Sequence, residues 1–274
     1  MATRPMASGR PGLVLIHGAF HSGRCWAPTV AELERLAPGL PVVAVDLPGR
    51  GATPGDLRTL TIARCAESVV EQIERAGLDE VVVVAHSLGG LTAPAVVSRL
   101  GAARVARLVL ISAVIPPEGA SNLSTIPRPV RWIIARLLRP GNAVGPPRRF
   151  FAGLFFCNGM TPEQREVVYA QLCPEAPGPF HEPVSRTGLP ASVPRTWLLT
   201  LRDRANPPRQ QRASIANLGA VEEVIEIDTC HDAMVSEPAT LAAILAKGCV
   251  RRPAAHGIDE GVSTHAASRA RMPP

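Results

Sequence analysis

The chain has 274 residues, 46% of them hydrophobic and 19% charged, a composition that builds a packed core and excludes a disordered or fibrous chain. Its net charge of +6 comes from arginines spread along the whole length in short pairs such as Arg148-Arg149, so no nucleic-acid-binding stripe is read from it. No apolar run reaches the about eighteen residues of a membrane span, no signal-peptide core precedes the first strand, and the six cysteines form no Cys-x-x-Cys pair. A cytoplasmic chain with neither membrane nor nucleic-acid partner is therefore expected.

Residues 1–11 read as an N-terminal extension. Gly12 to Ile16 is a short apolar strand that stops at His17-Gly18-Ala19-Phe20, where the chain must turn with its backbone N–H groups exposed. Such a turn is a candidate oxyanion loop. Trp26 to Leu36 has apolar residues at helical spacing, and Val42 to Val45 is a second buried strand leading into Asp46. Gly49-x-Gly51 follows that strand, but no helix opens from it and Pro54 comes next, so it is not a dinucleotide-binding turn. Thr61 to Ala76 is an amphipathic helix with Ile62, Cys65, Val69 and Ile73 on one face, ended by Gly77. Val81 to Ala85 is an all-apolar strand that runs through His86 and Ser87 into a helix from Leu88 to Leu100, bent at Pro94. Arg107 to Ser112 is a fourth strand. Strands without a polar face, separated by amphipathic helices, predict an α/β fold with a mostly parallel sheet covered on both sides.

The rhythm breaks over residues 116–192, where proline-punctuated helices at Val130 to Leu138, Arg148 to Cys157 and Thr161 to Leu172 replace strands. Seven of the ten aromatic residues fall there, which predicts a helical lid roofing an apolar pocket, with Trp132 and Phe155 lining it. The sheet resumes at Thr196 to Leu201, followed by a helix from Pro207 to Leu218, a strand from Val221 to Ile227 and a helix from Pro238 to about Cys249. The core is thus 12–115 and 193–250, with about six strands, and 251–274 reads as a disordered tail.

Strand, sharp turn and helix with a serine at the apex is the context in which small-x-Ser-x-Gly marks a nucleophile, and Ala85 and Gly89 meet the need for small neighbours. Asp203 and His231 stand just past the ends of two other strands, on the edge where open α/β sheets bind ligands. A serine hydroxyl needs an imidazole to take its proton, and that imidazole needs a carboxylate to fix its tautomer. Ser87, His231 and Asp203 supply the three, while the N–H groups of Leu88 and Ala19 would hold the oxyanion. Asp228 and Asp232 are too close to His231 in sequence to reach its far nitrogen, and His17 and His86 read as structural. His181-Glu182 lacks a second histidine at metal spacing, so neither metal nor cofactor is expected.

Beyond these residues, the run Val14-Leu-Ile-His-Gly-Ala-Phe-His-Ser-Gly-Arg-Cys-Trp26 resembles the α/β-hydrolase branch of plant methylesterases and hydroxynitrile lyases, and the likeness extends from Leu13 to about Cys249. The resemblance implies the α/β-hydrolase fold, a triad at Ser87, Asp203 and His231, oxyanion donors at Ala19 and Leu88, and a small or medium ester substrate touching Phe20. Lyase members of the branch carry a threonine after the first histidine and a lysine after the catalytic one; this chain has Gly18 and Asp232, which favours ester hydrolysis. A thioesterase or cyclase, lyase-type C–C cleavage and a non-catalytic ligand-binding member are the alternatives. Phe155-Phe156-Cys157-Asn158 replaces a more polar run of the relatives, and oligomeric state is not legible.

Overall fold

The computed structural model describes residues 10–126 and 128–249; most of the N-terminal extension and the tail lie outside them. Six strands form one sheet in the order β2-β1-β3-β4-β5-β6: Gly12–Ile16 (β1), Val42–Val45 (β2), Val81–His86 (β3), Val105–Ile111 (β4), Arg195–Thr200 (β5) and Glu223–Ile227 (β6). Every pairing is parallel. Parallel neighbours need crossover helices, which cover both faces and leave the interior strands no polar side.

The valine run of β3 shows the consequence. Val81, Val83 and Ala85 face a layer that includes Cys65, Val69 and Ile73 of α2 (Ile62–Arg75) and Val96 and Val97 of α3 (Gly89–Leu100). Val82 and Val84 face the opposite layer, with Leu33 of α1 (Ala27–Leu36) and Leu241 and Leu245 of the C-terminal helix Pro238–Gly248. Successive side chains of a strand alternate, so consecutive apolar residues are what a doubly covered strand requires. The edge strands differ from expectation. Val42, Val43 and Ala44 are only half-buried, and most of β6 is exposed, because each pairs on one side alone.

Four helices lie between β4 and β5: α4 (Arg128–Leu137), α5 (Arg149–Phe155), α6 (Pro162–Tyr169) and α7 (Gly178–His181). α6 starts with the capping box legible in its sequence: Thr161 accepts from the Gln164 N–H, and the Gln164 side chain accepts from the Thr161 N–H. Leu123, Leu138, Phe180 and Val184 of this segment pack with Ile62, Leu88 and Leu91, which sets the segment over the start of α3. After β5 come α8 (Pro208–Leu218), then β6, α9 (Ala233–Ser236) and α10 (Pro238–Gly248); α7 and α9, each a single turn, have no periodic signal. No helix among the described residues is long and apolar enough to cross a membrane.

Candidate active site

Ser87 sits between β3 and α3 with φ +50°, a left-handed conformation that a non-glycine residue adopts only when its surroundings impose it. Its N–H donates to the Ile111 carbonyl at 3.1 Å, and its carbonyl accepts from Gly90 at 3.0 Å and from Val114 at 2.9 Å. The turn is thus held by β4 on one side and its own helix on the other. Small residues around it are a matter of space: a Cβ on Gly89 would lie 2.8 Å from the His17 carbonyl oxygen, and one on Gly18 would lie 2.8 Å from the Ser87 Cβ.

The structure brings the three polar strand-end residues together. Ser87 Oγ lies 2.9 Å from Nε2 of His231, and Nδ1 of His231 lies 2.7 Å from Oδ2 of Asp203. All three are buried. Asp203 is saturated with donors: Oδ1 accepts the Ala205 and Asn206 N–H groups, each at 2.8 Å, and Oδ2 accepts the hydroxyls of Ser112 and of Thr200 as well as His231. Burial alone would lift the Asp203 carboxyl, but the His231 charge and these hydrogen bonds hold it below the ordinary carboxylate value. The converse holds for His231: burial pulls its pKa down, and the facing Asp203 more than offsets this, leaving it above the ordinary histidine value.

Three further histidines pack around the triad. His17 donates from Nδ1 to the Gly18 carbonyl at 2.8 Å and accepts the Leu47 N–H at Nε2, and burial lowers its pKa well below the ordinary value. His86 donates from Nε2 to the His231 carbonyl at 3.0 Å, with ring centroids 4.7 Å apart; burial takes it to about 3, so it stays neutral and props the loop that carries His231. His21 faces acceptors with both nitrogens, the Ala19 carbonyl at 2.7 Å and Asp232 Oδ2 at 3.1 Å. Desolvation opposes its charge, yet Asp232 raises its pKa overall, and the pair is a buried ion pair tying the Ala19 turn to the His231 loop. Asp232 is therefore occupied by His21 rather than by its neighbour.

The N–H groups of Ala19 and Leu88 have no acceptor among the described residues and border the same cavity as Ser87 and His231. That turn is shaped from a distance. Phe20 has φ +61°; its carbonyl accepts the Cys173 N–H at 2.9 Å, and its N–H donates to Oε2 of Glu175 at 2.8 Å. Oε1 of Glu175 meets the Arg50 guanidinium, and both side chains are almost fully buried. Replacing Glu175 with alanine strands that guanidinium and is expected to cost about 3–5 kcal/mol of folding stability. Urea denaturation checks this: an unchanged midpoint would mean the pair contributes nothing.

The cavity above Ser87 has a volume of about 320 Å³. Phe20, Leu88, Ile115, Phe156 and Phe180 supply its apolar wall, and Asn122, Gln210 and Asn217 its neutral polar groups. Among the described residues, no Asp, Glu, Lys or Arg lines it. Trp132 and Phe155, expected from sequence to line the pocket, face outward instead: Trp132 is 69% exposed and Phe155 41%. The next residue, Phe156, takes the inner place and lies over the His231 ring at 5.5 Å. One position along a helix rotates a side chain by about 100°, so the periodicity identified the right turn and the wrong face.

Ser112, with φ +48° and its Oγ 3.1 Å from His231 Nδ1, is a member of the site that sequence reasoning passed over. The strand-end rule that selected Asp203 would have found it, since it directly follows β4. Arg50, Glu175 and His21 have no such local mark. His86, His231 and Asp232 bring potential metal-ligand atoms within 4.8 Å of one another. A cation there would have to displace the bonds both His231 nitrogens already make.

A parallel sheet with a serine at a strained strand-to-helix turn, facing an imidazole and a carboxylate from later strand ends, is the α/β-hydrolase architecture. The chain belongs to the alpha/beta hydrolase family, whose model matches residues 13–244. It is 27% identical over 244 residues to the carbendazim hydrolyzing esterase of Nocardioides sp. (strain SG-4G), covering 85% of this chain and 97% of that one. Salicylic acid-binding protein 2 of Nicotiana tabacum is 29% identical over 255 residues, covering 85% and 94%. Among solved structures, an extracellular α/β-hydrolase from a Paenibacillus species, described as sharing structural and functional homology with the tobacco protein, superposes with a TM-score of 0.74 at 25% identity, covering 88% of this chain and all of that one.

Proposed function

We propose that this protein is a serine hydrolase that cleaves a small or medium, uncharged carboxylic ester through an acyl-enzyme. The observation that carries the reading is the continuous line Ser87 Oγ, His231, Asp203, with contacts of 2.9 and 2.7 Å, beneath a cavity free of charged side chains. As Ser87 attacks the ester carbonyl, His231 takes its proton at Nε2 and returns it to the departing alkoxide; water then repeats the cycle on the acyl-enzyme. Asp203 stabilises the imidazolium formed in between, and the Ala19 and Leu88 N–H groups hold the oxyanion. The esterase names of the relatives support the reaction class. An uncharged, partly apolar wall supports a neutral acyl group, with Phe156 and Phe180 as its contacts.

Lyase-type cleavage is disfavoured on space and charge. A threonine in place of Gly18 would drive its Cβ against Ser87 and His86, and Asp232 occupies the position where the lyase branch carries its lysine. The lid role of 116–192 rests on Leu138 and Phe180 packing with Leu88. Six free thiols support a cytoplasmic setting, although the Paenibacillus relative is extracellular.

Fluorophosphonate labelling followed by peptide mass spectrometry tests the assignment. The adduct is expected on Ser87, and an unlabelled Ser87 in folded protein would favour a binding-only member of the fold. A panel of neutral oxygen esters, charged esters and thioesters then fixes the leaving group. Because the base form of His231 is required and the facing Asp203 raises its pKa against the pull of burial, the acid limb of kcat/KM is expected to lie above that of an ordinary histidine, with activity lost as pH falls through it. An acid limb in the ordinary carboxylate range, or none at all, would remove His231 from the role of base.

A further inference from the structure

One segment carries as many unaccompanied arginines as the chain's whole formal excess of charge. Between Glu118 and Glu163 there is no acidic residue, and there are six arginines: Arg128, Arg131, Arg136, Arg139, Arg148 and Arg149. Taking those six from the 29 basic residues leaves 23, which the 23 acidic residues balance, so the rest of the molecule is neutral by formal count. The even spread of arginines along the sequence hides this run, in which Arg149 pairs with Glu166 of α6.

The same segment carries most of the exposed apolar surface. Of the twelve large hydrophobic side chains exposed among the described residues, eight lie within it. On α4 and directly after it, Ile134, Ala135 and Leu138 pack inward, while Val130, Ile133 and Leu137, at i, i+3 and i+7, are exposed with Trp132 beside them. The Arg136 guanidinium stands 5.9 Å from the centre of the Trp132 ring. On α5, Phe150, Phe151, Leu154 and Phe155 are exposed, and the residue that follows, Phe156, is already part of the cavity wall above Ser87.

We propose that the outer faces of α4 and α5 dock on an anionic lipid surface, their aliphatic and aromatic side chains entering the headgroup region and their arginines meeting lipid phosphates. Short basic helices with an apolar face and a tryptophan bind membranes in this way. Charge decides the occupant. A second copy would present the same six arginines and be repelled, and a nucleic acid has no use for exposed Val130, Ile133 and Leu137. That no helix among the described residues is long and apolar enough to cross a membrane leaves a surface contact open. The docking does not depend on hydrolysis, and its test reads binding alone.

Trp26 and Trp197 are fully buried and Trp132 is 69% exposed, so a change of tryptophan emission on contact with a surface reports α4. The full chain mixed with vesicles of equal parts phosphatidylglycerol and phosphatidylcholine is expected to sediment with them, to shift its emission to the blue and to be quenched by brominated acyl chains. Pure phosphatidylcholine should give none of these three effects, and rising salt should release the protein. The doubly substituted Arg136→Glu, Arg139→Glu chain is expected to bind at least about fivefold more weakly for each arginine reversed. Ile133→Ser with Leu137→Ser keeps the charge and should still lose binding, while circular dichroism confirms that both variants fold. Equal binding to neutral vesicles, no binding, or indifference to these substitutions would overturn the proposal. So would a dimer dissolved by Arg136→Glu, or capture by polyglutamate matching that by vesicles without an emission shift; these outcomes would assign the face to a second copy or to an acidic protein.

Discussion

Ser87→Ala is expected to lower kcat on a neutral p-nitrophenyl ester by about 10⁴- to 10⁶-fold, with little change in KM. The substitution removes only the hydroxyl that touches His231 Nε2, and the backbone bonds fixing the turn, from Ile111, Gly90 and Val114, do not involve the side chain. Folding should therefore be preserved. What survives is the rate that the oxyanion donors and substrate positioning give to direct attack by water. Steady-state kinetics beside a urea denaturation curve separates the two effects. A folded variant retaining activity within about tenfold of the parent would place the nucleophile elsewhere.

Asp203→Asn should cost about 10⁴-fold in kcat, for a reason peculiar to this pocket. Two backbone N–H groups, from Ala205 and Asn206, converge on Oδ1, and only an oxygen can satisfy them. The asparagine amide is thereby forced to place its NH₂ where Oδ2 was, 2.7 Å from His231 Nδ1. Nδ1 must then accept, the ring proton moves to Nε2, and His231 donates to Ser87 Oγ where it should accept. The acid limb of kcat/KM should also move down, since the carboxylate that raises the His231 pKa is gone. An Asp203→Asn protein with parental rate and parental pH profile would mean that another group orients the imidazole.

The catalytic candidates were legible because each has its own local punctuation. Ser87 stands between a valine run and small residues, and Asp203 and His231 each stand a few residues past the end of a strand, so a rule about strand ends reaches them without knowledge of the sheet order. Their meeting is a consequence of parallel pairing, which brings all C-terminal strand ends to one edge. The inserted segment obeys no such rule. Its periodicity locates helices but does not say which side the sheet lies on, so it does not separate Phe156, which lines the cavity, from the outward-facing Phe155 and Trp132. Glu175 was invisible for another reason: its partners, Phe20 and Arg50, are 155 and 125 residues away, and nothing around an isolated glutamate announces them.

The edge position of β6 ties activity to the weakest part of the sheet. Ser87 belongs to an interior strand paired on both sides, whereas the loop bearing His231 follows a strand held by β5 alone and largely open to solvent. Edge strands fray at lower free energy than the global unfolding of the core. Such fraying would carry His231 away from Ser87 while leaving the interior strands β1, β3 and β4 paired. On warming, this protein should lose reactivity before it loses its fold, and hydrogen exchange in β6, not in β3, should follow the decline.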